Sequence, residues 1–137
     1  DQMLERGQKI FDQVDPELAA DFRLMRDRQV LDLANRKGKA PGGYQSTLSE
    51  ARLPFIFMNA VGMQRDVETL LHEAGHAFHA LATKDEDLYG YRHAPIEFCE
   101  VASMSMELLG GEFIDAYYEP ADAQRARVKH LQGIVEV

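Results

Sequence analysis

The chain has 137 residues, enough for one domain with a stable core, because a chain of this size buries roughly 68–70% of its unfolded surface. It is 45% hydrophobic and 28% charged, with 15 Lys and Arg against 23 Asp and Glu, for a net charge of -8. That balance argues against a broad nucleic-acid or anionic-membrane surface, where phosphates call for a basic patch, and favours cationic ligands, metal ions included. Cys99 is the sole cysteine, so no intrachain disulfide forms and a reducing, cytoplasmic compartment fits. No apolar run approaches the ~20 residues of a membrane helix, and the N-terminus has no signal-peptide layout. The chain opens at Asp1 without an initiator Met and enters a helical pattern at once, which reads as an excised piece of a longer protein.

Residues 2–14 carry a weak helical pattern in Leu4, Ile10, Phe11 and Val14. A second helix starts at Asp15-Pro16, since Asp is a good N-cap and Pro suits the first helical position. Leu18, Phe22, Met25 and Leu33 give it an apolar stripe, with Gly38 as its stop, so residues 1–37 read as a helical lead-in. Residues 38–61 follow as a Gly-rich turn, GKAPGGY, and a strand, LPFIFMNAV. Pro54 lacks an N–H and favours an edge position for that strand. A helix is expected from Asp66 to about Ala82, with Asp66 and Glu68 near its positive end. The polar stretch TKDEDLYGYRHA reads as a solvated loop, Pro95 opens another helix, and Gly110-Gly111 closes it. Residues 112–137 read as a short helix and a last one opened by Pro120, with Leu131 and Ile134 as candidate core positions.

The chemistry concentrates in TLLHEAGHAFHAL, residues 69–81. His72 and His76 are four apart, so on a helix they project about 40° from one another and can take adjacent corners of a zinc tetrahedron. Glu73 projects to the flank, where a general base takes a proton from a water activated by the metal. A bare HExxH is only moderately specific, and catalytic zinc needs a third protein ligand. The helix after Pro95 offers Glu97, Glu100 and Glu107. Glu100 and Glu107 project within about 20° of one another and share a face, so Glu100 can reach the metal while Glu107 holds a histidine N–H. Periodicity leaves Glu97 as a competing choice. Gly75 sits inside the helix at a cost of about 1 kcal/mol against Ala, which points to a close approach by the Glu-bearing helix or a substrate.

HEAGHAFH, residues 72–79, followed by EFCEVASMSMELL, residues 97–109, resembles the thimet oligopeptidase/oligoendopeptidase F family of zinc metallopeptidases, and most closely its oligoendopeptidase F branch. The family's His-Glu-x-Gly-His-x-x-His is matched at His72, Glu73, Gly75, His76 and His79. Its second motif, a liganding Glu followed three residues on by Ser and seven on by Glu, is matched at Glu100, Ser103 and Glu107. GKAPGGY with LPFIFMNAVG and RDVETLLHE resembles the family's run into the zinc helix. The likeness is strong over residues 35–110 and weaker elsewhere. The resemblance selects Glu100 over Glu97. It implies one zinc ion on His72, His76 and Glu100, with Glu73 as base and hydrolysis of short peptides in a deep channel, mostly intracellularly. It also implies an exposed strand pairing with the substrate backbone, expected here at Phe57, Met58, Asn59 and Ala60. Family members are much longer, and their oxyanion-stabilising His and Tyr lie beyond the position of Val137. Those roles are therefore not carried to Tyr117 or Tyr118.

The remaining residues take plainer readings. His79 is structural or supports the site from beside it, His93 is a solvated loop histidine, and Cys99 is a small buried residue. The expected fold is mainly α with a small antiparallel sheet, a zincin-like α+β arrangement whose metal site spans helices 66–110. The expected function is a zinc endopeptidase core. The alternative is a zinc-binding or peptide-binding module without turnover.

Overall fold

The computed structural model describes residues 2–136. Its elements are α1 (Gln2–Val14), α2 (Pro16–Asp27), β1 (Leu31–Ala34), β2 (Gly43–Leu48), β3 (Leu53–Ala60), α3 (Gln64–Ala82), α4 (Ile96–Gly111) and α5 (Pro120–Val135). Short 3₁₀ turns at Tyr89–Arg92 and Ile114–Ala116 flank α4. The fold is mainly helical with one small sheet.

Local chemistry sets the helix starts. Asp15 Oδ1 accepts the backbone N–H groups of Glu17 and Leu18 at 2.8 and 3.2 Å, and Pro16 occupies the first helical position. Asp66 Oδ2 accepts from the backbone of Val61, Gly62 and Met63 at 2.7–2.9 Å. It thereby ties the turn after β3 to the first turn of α3, which begins two residues earlier than expected. Inside, Phe11 joins three helices: its ring lies 4.8 Å from that of Phe22 on α2 and 5.1 Å, edge-on, from that of Phe78 on α3.

Three expectations fail. The second helix does not run to Gly38; it ends at Asp27, Gln29 adopts a left-handed φ of 56°, and Leu31–Ala34 form β1. Leu33 is buried as expected, but from a strand, because pairing with β3 satisfies that backbone instead. The sheet is mixed rather than antiparallel throughout: β3 pairs antiparallel with β2 and parallel with β1, in the order β1-β3-β2. β3 is therefore the central strand, not an edge. Pro54 is tolerated there because it lies before the stretch covered by β1, which begins with Leu31 opposite Ile56, so its missing N–H breaks no ladder bond. Lastly, Leu131 and Ile134 are 55% and 42% exposed, and α5 docks instead through Ala123 and Ala126. Arg127 fixes that docking by donating to the carbonyls of Gly111 and Glu112.

The segment between β1 and β2 is pinned by a buried cation. Lys39 Nζ donates to Asp32 Oδ1 and to the carbonyls of Asp32 and Ala34, each at 2.9 Å, and sits 4.6 Å from the centre of the Phe57 ring. Arg36 adds a two-bond clamp on the Asp32 carboxylate at 2.6 and 2.8 Å. The Arg36 and Lys39 hydrogen bonds hold the Asp32 carboxyl down at about 2. Because its folded value lies below the ordinary 3.8, the stabilisation it gives is full above that value and is lost as pH falls towards 2. In urea titrations Asp32→Asn is expected to lower the unfolding midpoint at pH 7, with the gap to wild type closing between pH 4 and pH 2; a gap independent of pH would refute this.

Two glycines allow the approaches on which the site depends. A Cβ on Gly75 of α3 would stand 2.6 Å from Ser103 Cα and 2.7 Å from the Ala102 carbonyl oxygen of α4. A Cβ on Gly43 at the start of β2 would stand 2.7 Å from Thr69 Cγ2 on α3. The two nearest α4 atoms are backbone, and the third, Met106 Cβ at 3.0 Å, is fixed to it, so none has a rotamer with which to yield. Gly75→Ala is therefore expected to cost about 1–3 kcal/mol through forced separation of the helices, despite the better helix propensity of Ala. Thermal unfolding that shows Gly75→Ala equal to or above wild type would contradict this packing.

Candidate metal centre

The crossing of α3 and α4 brings three donors together. His72 Nε2 and His76 Nε2 are 3.2 Å apart, and the Glu100 carboxylate lies 3.4 Å from the first and 3.7 Å from the second. Among the described residues, His72, His76 and Glu100 form the one group able to hold a metal ion, with all three donor atoms within 4.8 Å of one another. Of the two carboxylates left open by periodicity, Glu100 reaches this point, while Glu97 is exposed and outside it. Ser103, wholly buried in the crossing, keeps Glu100 in place: its Oγ lies 2.9 Å from Glu100 Oε2 and 3.0 Å from the Glu100 carbonyl oxygen.

Glu107, two turns along α4, accepts from His72 Nδ1 at 2.6 Å. That bond puts the ring proton on Nδ1 and leaves the Nε2 lone pair facing His76. It also raises the His72 pKa, against the opposing effect of burial. His76 moves the other way, its charged form disfavoured by burial and by His72. At 3.2 Å the two Nε2 atoms either share a proton or, with neither protonated, repel unless a cation lies between them. A carboxylate on the third side completes a set of two nitrogens and one oxygen, which suits zinc.

Glu73 is buried on the flank of the histidines. Burial raises its pKa, opposed first by the charge of His72 and then by the backbone N–H of Gln45. Gln45 pairs with Ile56, which itself donates to Val30 at 2.9 Å on the β1 side. Gln45 therefore directs its N–H and C=O to the outer edge of β2. An open cleft of about 660 Å³ begins at Gly43 of β2 and is walled by Met58, Asn59, Thr69, His72, Glu73 and Glu107 among others.

The expected substrate strand requires correction. The backbone of Phe57, Met58, Asn59 and Ala60 is taken up on both sides: Phe57 pairs with Tyr44 and Asp32, Met58 with Gly43, and Ala60 with Ala34, while the Asn59 N–H donates to the Gly42 carbonyl. The edge strands are β1 and β2, and of the two β2 reaches the cleft, through Gly43. Met58 and Asn59 still line the cleft.

The other residues singled out lie apart. His79 is half-buried and outside the donor group. His93 is exposed, its ring against that of Tyr89 at 4.8 Å. Cys99 is half-buried, with Sγ 3.6 Å from the Ala94 carbonyl oxygen. Tyr117 and Tyr118 donate to the carbonyls of Met3 and Gln64, at 2.6 and 3.0 Å. Two features escaped the sequence reading, the Gln45 N–H and His130, whose Nδ1 lies 3.6 Å from Glu107 Oε2. Neither carries a local signal, since one is a backbone group and the other comes from a distant helix.

Residues 11–135 match the family described as Peptidase family M3. Oligopeptidase PepF of Bacillus subtilis (strain 168) is 36% identical over 88 residues, 64% of this chain and 13% of that protein. The chromosomal oligoendopeptidase F of Lactococcus lactis subsp. cremoris is 32% identical over 81 residues, 59% of this chain and 13% of that protein. The chain thus spans about 13% of the length of these curated relatives. Among solved structures, PZ peptidase A with an inhibitor superposes with a TM-score of 0.89 at 35% identity, over 95% of this chain and 23% of that one. A Bacillus anthracis str. Ames protein described as an oligoendopeptidase F superposes with a TM-score of 0.92 at 34% identity, over 97% and 24%. A match over nearly the whole chain, in sequence and in backbone alike, makes this chain a member of peptidase family M3.

Proposed function

We propose that this chain forms the metal-binding core of a zinc-dependent endopeptidase that hydrolyses short peptides. The observation that carries the reading is the convergence of His72, His76 and Glu100 beside a buried Glu73 at the wall of a cleft. His72 and His76 offer Nε2 and Glu100 offers a carboxylate oxygen to one ion, leaving a position open for substrate and water. The same set also tolerates cobalt or manganese. Zinc, when bound, polarises the scissile carbonyl and acidifies the attacking water.

The chain's own residues supply the proton handling. Glu73 takes a proton from the attacking water and delivers it to the departing amine. Its burial strengthens its hold on that proton. Glu107 holds the His72 ring in the tautomer that presents Nε2. The open edge of β2, rather than β3, offers backbone groups to an extended peptide lying in the cleft. The engagement of Tyr117 and Tyr118 with Met3 and Gln64 supports leaving them out of the catalytic set. A cytoplasmic site of action accords with the single free cysteine; no helix among the described residues is long and apolar enough to cross a membrane.

Two variants test this. Wild type is expected to hold one zinc by elemental analysis after dialysis, and His76→Ala to lose it; tightly held zinc in His76→Ala would overturn the ligand assignment. Glu73→Gln is expected to keep that zinc and to lose at least about 10²-fold in cleavage of a quenched peptide. Undiminished turnover would exclude Glu73 as the base. Stoichiometric zinc in a wild type that cleaves no peptide would instead favour the binding-module reading.

A further inference from the structure

His130 lies on α5, far along the chain from the donor group, yet its ring turns to that group's support. Its side chain is 22% exposed, and Nδ1 lies 3.6 Å from Glu107 Oε2, within charge-pairing range and just beyond a hydrogen bond. The other oxygen of the same carboxylate, Oε1, is the one that holds His72 Nδ1 at 2.6 Å. The two carboxylate oxygens thus face two imidazoles from opposite sides. His130 Nε2 is buried and, among the described residues, has no hydrogen-bond partner. The His130 side chain lines a largely apolar cavity of about 130 Å³ between α3, α4 and α5, walled by Val67, Leu71, Leu108 and Ile114, with Glu68 and Glu107 also in its lining.

Leaving a buried imidazole nitrogen unpaired costs stability. A leucine would fill the same apolar wall without that cost, so packing does not explain a histidine here. The placement is also not accidental to a loose helix. Arg127, three residues earlier on the same helix, anchors α5 to the Gly111 and Glu112 carbonyls and to Asp115. That anchor holds the His130 ring against Glu107.

We propose that His130 is a positioning residue for the metal centre. Its Nδ1–H faces Glu107 Oε2 and stops the carboxylate from rotating, so that Oε1 keeps His72 turned with Nε2 at the ion. The order of support is His130, Glu107, His72, metal, and through it the docking of α5 is coupled to metal affinity. This inference rests on the proposed metal role of His72. It makes α5 part of the site's framework although α5 supplies no ligand.

The test is metal binding by the full chain, read by zinc competition with a chromophoric chelator and by the visible spectrum of the cobalt form. Removal of a group that touches a ligand directly lowers metal affinity about 10–100-fold, so His130→Leu, one step further out, is expected to weaken zinc by roughly three- to tenfold. It should also shift the cobalt absorption bands, which a change in packing alone leaves in place. Asn sets its amide nitrogen near the position of Nδ1 and Gln sets it near Nε2. His130→Asn is therefore expected to retain wild-type affinity and spectrum, and His130→Gln to resemble His130→Leu. This pair gives the comparison even if the leucine variant does not fold. In a Glu107→Gln background, His130→Leu should weaken zinc no further. Wild type that binds no zinc would overturn the metal reading itself. Wild type that binds zinc no better than His130→Leu, an Asn variant no better than the Gln variant, or losses that add in the Glu107→Gln background would each overturn the role of His130 alone.

Discussion

The missing side chain at Gly75 is the constraint on which the rest of this structure depends. It lets the backbones of α3 and α4 meet where any Cβ would stand 2.6 Å from Ser103 Cα. Glutamate side chains are short relative to the spacing of ordinary helix pairs, whose axes lie about 8–10 Å apart. Only a close crossing lets Glu100 reach the two histidines and Glu107 reach the back of one of them. Ser103 serves both needs, small enough for the crossing and polar enough to hold Glu100.

From that crossing follows an asymmetry between the two histidines. Both sit on one face of α3, four residues apart, and both are half-buried. Glu107 touches only His72, and it favours the charged ring there, while burial and the neighbouring ring disfavour charge on His76. Glu73 lies outside the donor group, and desolvation raises its proton affinity. The sheet supplies the remaining wall. Gly43 brings β2 onto Thr69 of α3 and sets the start of that edge strand at the cleft beside Glu73.

Sequence reading succeeded where the determinant is local. Asp15-Pro16 and Pro95 mark helix starts because an N-cap acceptor and a fixed φ act within one turn. The His72–His76 spacing and the Glu100–Glu107 spacing are readable for the same reason, since helical geometry alone puts each pair on one face. It failed where partners are distant. β1 continued a helical stripe and became a strand only because β3 lies beside it. The strand 53–60 carries the residues of an edge strand, Pro54 included, and became central because β1 arrives from upstream to pair with it. Apolar patterning also misled on α4 and α5. Phe98, Val101, Met104 and Leu131 are more than half exposed, whereas Ser103, Gly110, Ala123 and Ala126 face inward. At these close-packed faces small residues mark the contact, and hydrophobicity scales do not register smallness.

The sequence by itself therefore determined the helices that carry His72, His76 and Glu100, their likeness to a peptidase family and which side chains have the chemistry to hold a metal or move a proton. All of these depend on side-chain identity and on the fixed rise and turn of a helix. Tertiary structure alone decided that β2 rather than β3 lies at the edge of the sheet, and that His130 stands behind Glu107. Those outcomes depend on the approach of segments distant in the chain, which is set by packing and backbone pairing and has no signature in any local run of residues.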